Sequence, residues 1–160
     1  MYNPTLLDLT SKKKLAHFLG CSKKDFSELA SDCYYYKFPI ITGEKSRNCE
    51  VPTGKLKTIH NIMHKELCKE MTPPWFFSCK GRGYVANAIW HAKPNIYLLK
   101  MDISSFYPSC KIDYVFRLFR DKEGYGLPGD IAGLLANILT YQGHIPTGSP
   151  VSGLLAFWSY

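Results

Sequence analysis

Several common protein classes need features that this sequence does not have. None of its six cysteines (Cys21, Cys33, Cys49, Cys68, Cys79 and Cys110) forms a Cys-x-x-Cys pair, and no histidine stands at finger spacing from them. The spacing of a structural zinc site is therefore missing. No apolar run approaches the ~20 residues of a membrane-spanning helix. The opening Met1-Tyr-Asn-Pro has neither the basic region nor the apolar core of a secretory leader. The expectation is a cytoplasmic protein with reduced thiols and no membrane partner. Acidic residues are the scarcer charge, 13 Asp and Glu against 20 Lys and Arg, for a net charge of +7. A surplus of that size attracts polyanions and aids solubility, but it does not by itself single out nucleic acid.

What is present describes a folded chain. Hydrophobic residues make up 46% of the 160 and charged residues 21%, enough for one domain with a real core. Thr10 or Ser11 caps a short helix with Leu15, Phe18 and Leu19 inward, and Gly20 ends it. Ser22-Lys-Lys-Asp25 has capping-box spacing and opens a second apolar stripe of Phe26, Leu29, Ala30 and Cys33. A helix-turn-helix that reads DNA also fits this pair, but after Lys23 and Lys24 the second helix turns acidic at Asp25, Glu28 and Asp32. Tyr34–Ile41 and Arg47–Pro52 read as a strand and its return around a turn at Gly43. Lys55–Met71 is the clearest helix, with Leu56, Ile59, Ile62, Met63, Leu67 and Met71 at spacings of three and four. Lys55, Lys57, Lys65 and Lys69 lie on its wetter side, within reach of a nucleic-acid backbone. His60 and His64, four apart, lack a third ligand nearby and read as surface or satisfied core histidines.

Farther on, Thr72-Pro-Pro-Trp is a rigid junction. Cys79-Lys-Gly-Arg-Gly-Tyr84 frees the backbone between two cations, but its glycine spacing is not that of a Walker loop. Ile96–Cys110 reads as a buried strand that delivers Asp102 to its end, with Pro108 as the stop. A carboxylate inside an apolar strand is costly unless paired. A metal ion is one such pairing; a plain turn cap before the following helix is the other reading. Lys111–Arg120 is a helix with Ile112, Val115, Phe116 and Phe119 on one face; Pro128 with Asp130 starts a second, which carries Ile131, Leu134, Leu135, Ile138 and Leu139 and is ended by Gly143. Gly133 permits a close neighbour in the second. Ile145-Pro-Thr-Gly-Ser-Pro-Val-Ser152 is a rigid loop running into the apolar segment Val151–Tyr160. Left uncovered, Leu154, Leu155, Phe157 and Trp158 would expose a hydrophobic surface, which leads to the expectation of a chain continuing past Tyr160.

Lys100–Cys110 together with the Pro146–Ser152 loop resembles the reverse transcriptase family. Lys80–His91, with Asn87, Ala88 and His91, resembles more specifically the bacterial retron enzymes. The resemblance covers most of the chain from Leu15 to Tyr160. It implies an α+β fold, the fingers and partial palm of a right-hand polymerase, with a helical lead-in over 1–33, fingers over 34–95 and partial palm over 96–160. It implies RNA-directed DNA synthesis with two Mg²⁺ ions, Asp102 as the first catalytic carboxylate and the carbonyl of Ile103 as an added metal ligand. Arg47, and Lys45 in place of the family's lysine before the turn, would hold the nucleotide triphosphate. Tyr107 would exclude a 2′-hydroxyl, and Thr147 and Gly148 would line the nucleotide site. Lys80, Arg82, Asn87, His91, Pro146, Pro150 and Ser152 would contact RNA or template. The partners implied are a structured noncoding RNA serving as template and primer, deoxynucleotides, the missing C-terminal part or an effector protein.

The departures matter as much. The family's Tyr-x-Asp-Asp block is absent, and no Asp-Asp pair occurs. Thr147 stands where many relatives have glutamine, Gly83 where serine is usual and Gly153 where proline is frequent. The expectation is a polymerase part that does not synthesise DNA alone. The alternatives are a truncated or split non-catalytic RNA-binding or interaction module, and a reverse transcriptase of the group II intron or diversity-generating type.

Overall fold

The computed structural model describes residues 5–78, 83–92, 97 and 99–160. After a 3-10 turn at Leu6–Asp8, two short helices, α1 (Lys12–Leu19) and α2 (Asp25–Leu29), lead into a hairpin of β1 (Tyr35–Thr42) and β2 (Lys45–Pro52). There follow α3 (Gly54–Leu67), α4 (Tyr84–His91), α5 (Phe106–Ser109), α6 (Ile112–Arg120), α7 (Gly129–Leu139) and α8 (Ser152–Ser159). This is an α+β arrangement with a two-stranded antiparallel sheet.

The lead-in follows its local signals. Ser11 caps α1 by accepting the Lys14 N–H, and Gly20 closes it in the left-handed region at φ 64°. Asp25 takes the Ser22 N–H at 2.7 Å and pairs with Lys55 at 2.6 Å, tying the lead-in to α3. That ion pair and the Ser22 amide hold the Asp25 carboxyl below its usual range. Lys55 is thus engaged within the protein, and Lys69 pairs with Glu66. Phe26 and Leu29 are buried as the stripe requires, but Ala30 and Cys33 are exposed, because α2 stops at Leu29 and carries its pattern no farther.

The hairpin turns in two residues, Gly43 and Glu44, with Gly43 at φ 61°. A positive φ at the first loop position matches the twist of the flanking strands. The register places Tyr36, Phe38, Ile40, Arg47, Cys49 and Val51 on one face, with Tyr35, Lys37 and Glu50 on the other.

The core is helical. Leu56, Ile59, Met63 and Leu67 of α3 are buried with Val115, Phe119, Ile131, Leu135, Ile138 and Leu139 from α6 and α7. The helix expected to reach Met71 ends at Leu67, and Met71 is 89% exposed; beyond Leu67 the chain turns toward Pro73 and Pro74, which cannot extend it. Gly133 sits beneath Phe116, whose ring a Cβ there would meet at 4.0 Å.

The last helix corrects the expectation of an uncovered apolar end. Leu154 and Leu155 are fully buried, Phe157 stacks on Phe76 at 4.0 Å, and Trp75 meets Phe157 edge-on. Trp75 and Phe76, which follow the Pro73-Pro74 junction, thus cover Phe157. Among the described residues, no helix is long and apolar enough to cross a membrane.

Candidate nucleic-acid interface

The loop Pro146–Ser152 docks along the outer edge of β2. A hairpin strand at a sheet edge leaves every second backbone N–H and C=O without a partner. Thr147 takes up two of them with one hydroxyl, donating to the Asn48 carbonyl at 2.9 Å and accepting the Glu50 N–H at 3.2 Å. The Gly148 N–H then donates to the Glu50 carbonyl at 3.0 Å. Glycine is needed there because a Cβ would lie 2.6 Å from Val51, 2.8 Å from the Cys49 sulfur and 2.8 Å from the Glu50 carbonyl oxygen. The Ser152 hydroxyl donates back to the Pro146 carbonyl and closes the loop on itself.

A buried carboxylate anchors this junction. Glu50 is 9% exposed and accepts from His144 Nε2 at 3.2 and 3.1 Å and from the Thr147 N–H at 3.3 Å. A carboxylate only accepts, so Nε2 of His144 carries the hydrogen. His144 is held by a tight turn in which Tyr141 and His144 exchange backbone bonds of 2.8 and 3.0 Å. Gln142 and Gly143 form its centre at φ 47° and 78°, the pair of positive angles that a two-residue turn of the I′ type needs.

Behind the loop lies a second polar chain. His60 is fully buried in α3, with Nε2 3.0 Å from the Ile138 carbonyl and Nδ1 2.6 Å from the Ser149 hydroxyl. The carbonyl can only accept, so Nε2 donates to it, and Nδ1 of the neutral ring accepts from Ser149. The Val151 N–H reaches the Ser149 oxygen at 3.4 Å. Burial pushes His60 down to about 4, partly offset by the Ile138 carbonyl. His60 is a neutral core histidine that holds the loop; His64, four residues on, lies against Cys68 at 3.5 Å.

The structure brings together some of the residues singled out from sequence. Thr147, Gly148, Pro146, Ser152 and the hairpin of Arg47 are adjacent through β2. Arg47 is exposed opposite Ile40, on the face where Tyr36 and Phe38 stand 5.7 Å apart and are 62% and 36% exposed. The Thr147 hydroxyl is engaged by the β2 backbone. Pro146 and Ser152 are buried and Pro150 is exposed; the first two shape the loop and the third is open to contact. Tyr107 is half-buried, its hydroxyl 3.8 Å from where a Cβ on Gly153 would lie, and burial raises its hydroxyl above the usual tyrosine range.

Other expectations meet a different arrangement. Among the described residues around Asp102, no strand is formed where a buried one was expected. Tyr97, Leu99, Met101 and Ile103 are 91%, 82%, 82% and 66% exposed, and Asp102 is exposed with them. A strand needs a neighbour to satisfy its backbone, and β1 and β2 pair only with each other among the described strands. Asn87 and His91 lie on α4, where both are exposed. Lys80 and Arg82, with Ile96 and Leu98, lie outside the described residues, as does the side chain of Lys45.

The metal expectation can be tested on the donors present. Mg²⁺ takes about six oxygen ligands, and two ions need several shared carboxylates. Among the described residues no group of three His, Cys, Asp or Glu gathers where it could hold an ion. Asp102 and the Ile103 carbonyl do not by themselves make a two-ion centre. Glu50, His144 and Ser149 went unnoticed in the sequence, and His60 was read only as a surface or satisfied core histidine, because their contacts span 78 to 94 residues. The one local sign was a lone acidic residue within a return strand. No family model matches the chain, and no curated protein matches its sequence.

Proposed function

We propose that this chain is the fingers and early-palm part of a retron-type reverse transcriptase, a cytoplasmic enzyme using a structured noncoding RNA as template and primer. Asp102 would be the first carboxylate of its nucleotidyl-transfer centre, whose companion carboxylates this sequence does not contain. The observation that supports this reading most is the docking of the Pro146–Ser152 loop on β2 through Thr147, Gly148 and Glu50. Two segments that resemble separate parts of the same polymerase site meet there, although about a hundred residues separate them in the chain. The exposed Arg47 beside Tyr36 and Phe38 offers a guanidinium for phosphate and ring faces for bases.

Read this way, the 160 residues bind structured RNA and do not polymerise. The test is a filter-binding titration with a stem-loop RNA at two salt concentrations, beside primer extension with Mg²⁺ and deoxynucleotides. Salt-sensitive RNA binding, weakened by Arg47→Ala, with no extension is the expected result. DNA synthesis by residues 1–160 that is lost on Asp102→Ala would overturn the inactivity, and absence of RNA binding would overturn the reading itself.

A second reading is a non-catalytic interaction module. It is favoured by the exposure of Tyr84, Val85, Ile89 and Trp90 on α4 and of Leu99, Met101 and Ile103 around Asp102. Apolar surface of that extent marks a place where something docks. Sedimentation velocity separates the two: concentration-dependent association without RNA binding favours the module.

A further inference from the structure

The two strands of the hairpin are open in different ways. The two-residue turn sets Thr42 opposite Lys45, so alternate residues back from it bond across the pair and the others turn their backbone outward. On β2 the outward residues Asn48 and Glu50 are taken up by the Pro146–Ser152 loop. On β1 they are Lys37, Pro39 and Ile41, and among the described strands β1 pairs with β2 alone. Pro39 has no N–H to offer and Lys37 carries a charge, two devices that keep a further strand from joining a sheet edge. The edge is blunted, and what the hairpin leaves open is a face.

That face carries Tyr36, Phe38 and Ile40 along β1 and Val51, Cys49 and Arg47 along β2. The loop covers part of the β2 row, since a Cβ on Gly148 would meet Val51 and the Cys49 sulfur. The β1 row is uncovered: Tyr36 is 62% exposed, Phe38 36% and Ile40 45%. The Tyr36 and Phe38 rings stand 5.7 Å apart with their planes inclined by 32°, and Arg47 is exposed across from Ile40. No residue of the face is acidic. The hairpin's two carboxylates lie elsewhere, Glu44 in the turn and Glu50 buried on the opposite face. A row of rings ending at a guanidinium, in a protein of net charge +7, suits a ligand with flat apolar groups strung on a polyanion.

We infer that this face holds an unpaired stretch of RNA, with two successive bases on Tyr36 and Phe38 and a backbone phosphate at Arg47. This rests on the RNA binding proposed above and confines it to unpaired bases. A duplex keeps its base faces inside its own stack, so it brings only backbone to Arg47 and leaves the rings unused. A protein strand is the poorer occupant, because the blunted edge denies it a ladder of backbone bonds.

The test is a fluorescence-anisotropy titration of the full chain with labelled oligoadenylate RNA and with a blunt RNA duplex of equal length, at the same salt. The expected result is tighter binding of the oligoadenylate. Tyr36→Ala and Phe38→Ala should each weaken it about five- to hundredfold, the loss of stacking for one base. Tyr36→Phe and Phe38→Tyr keep a ring and should keep the affinity, which separates lost stacking from lost folding. Arg47→Ala should lower the salt dependence by about one phosphate contact. Oligoadenylate affinity unmoved by removal of either ring would overturn the site, and an equal loss in the ring-retaining variants would overturn stacking as its cause. Duplex binding as tight as that of the oligoadenylate would overturn the assignment to unpaired bases and leave the proposed RNA binding standing. Absence of binding to either RNA would overturn the proposed function itself, and this assignment with it.

Discussion

Acidification tests the polar chain behind the Pro146 loop. His60 is buried and neutral, donating to Ile138 and accepting from Ser149. Its value in the folded chain is about 4, against an ordinary 6.5. The unfolded chain therefore takes up a proton at a pH where the folded chain does not. Stability from this group is complete above about pH 6.5 and is lost as pH falls toward 4. Each unit of separation corresponds to about 1.4 kcal/mol, so the full span is about 3 kcal/mol. Between pH 7 and pH 5 the loss from His60 alone is about 2 kcal/mol. With a urea slope of about 2 kcal/mol per molar, the unfolding midpoint moves down by about 1 M. His60→Gln is the comparison, because it keeps an amide near the same partners and does not titrate. The variant starts from a lower stability, and only the change with pH is compared. His144, Glu50 and the surface carboxylates are common to both proteins and cancel in the difference. If wild type and His60→Gln lose stability equally between pH 7 and pH 5, or if wild type loses less, the buried neutral histidine is refuted.

Three further substitutions probe the junction and the candidate carboxylate. Gly148→Ala forces a Cβ to within 2.8 Å or less of three β2 atoms and should cost about 1–3 kcal/mol, read as a lowered urea midpoint; an unchanged midpoint would mean the loop does not dock tightly. Thr147→Val keeps the shape but leaves the Asn48 carbonyl and Glu50 N–H without their hydroxyl, a cost of about 1–3 kcal/mol, and the Glu50 amide should exchange its hydrogen faster with solvent while amides within α6 do not. Asp102→Ala should leave stability within about 0.5 kcal/mol, as expected of an exposed side chain; a large loss in thermal unfolding would show that Asp102 is packed or paired after all.

The helices and the hairpin were legible because their causes are local. Ser11, Gly20 and Gly43 announce a cap, a stop and a turn within a few residues, and the α3, α6 and α7 stripes repeat at the spacing of a helix face. Pairing was less legible. The segment around Asp102 has strand-forming residues, but composition says only that a segment would suit a sheet, not that a neighbour exists to receive it. The cover over α8 was missed for the same reason, since Trp75 and Phe76 lie about eighty residues before the Phe157 ring that they meet.

The candidate site divides along that line. Gly148 and Pro146 were visible as rigid loop residues, and Arg47 as a hairpin cation. The partners that fix their positions were not visible, because Glu50 and His60 each look ordinary among their sequence neighbours. A carboxylate in a strand and a histidine on an apolar helix face acquire meaning only once His144 and Ser149 arrive from the other end of the chain. Glu50 is nearly enclosed and held by His144 of the preceding turn and by the Thr147 N–H of the loop, so hairpin and loop form one unit whose integrity depends on that carboxylate. Any role for Arg47 in binding phosphate therefore draws on residues that never touch the ligand. The orientation of the hairpin, and with it the direction in which Arg47, Tyr36 and Phe38 face, is set by Glu50, Thr147 and Gly148.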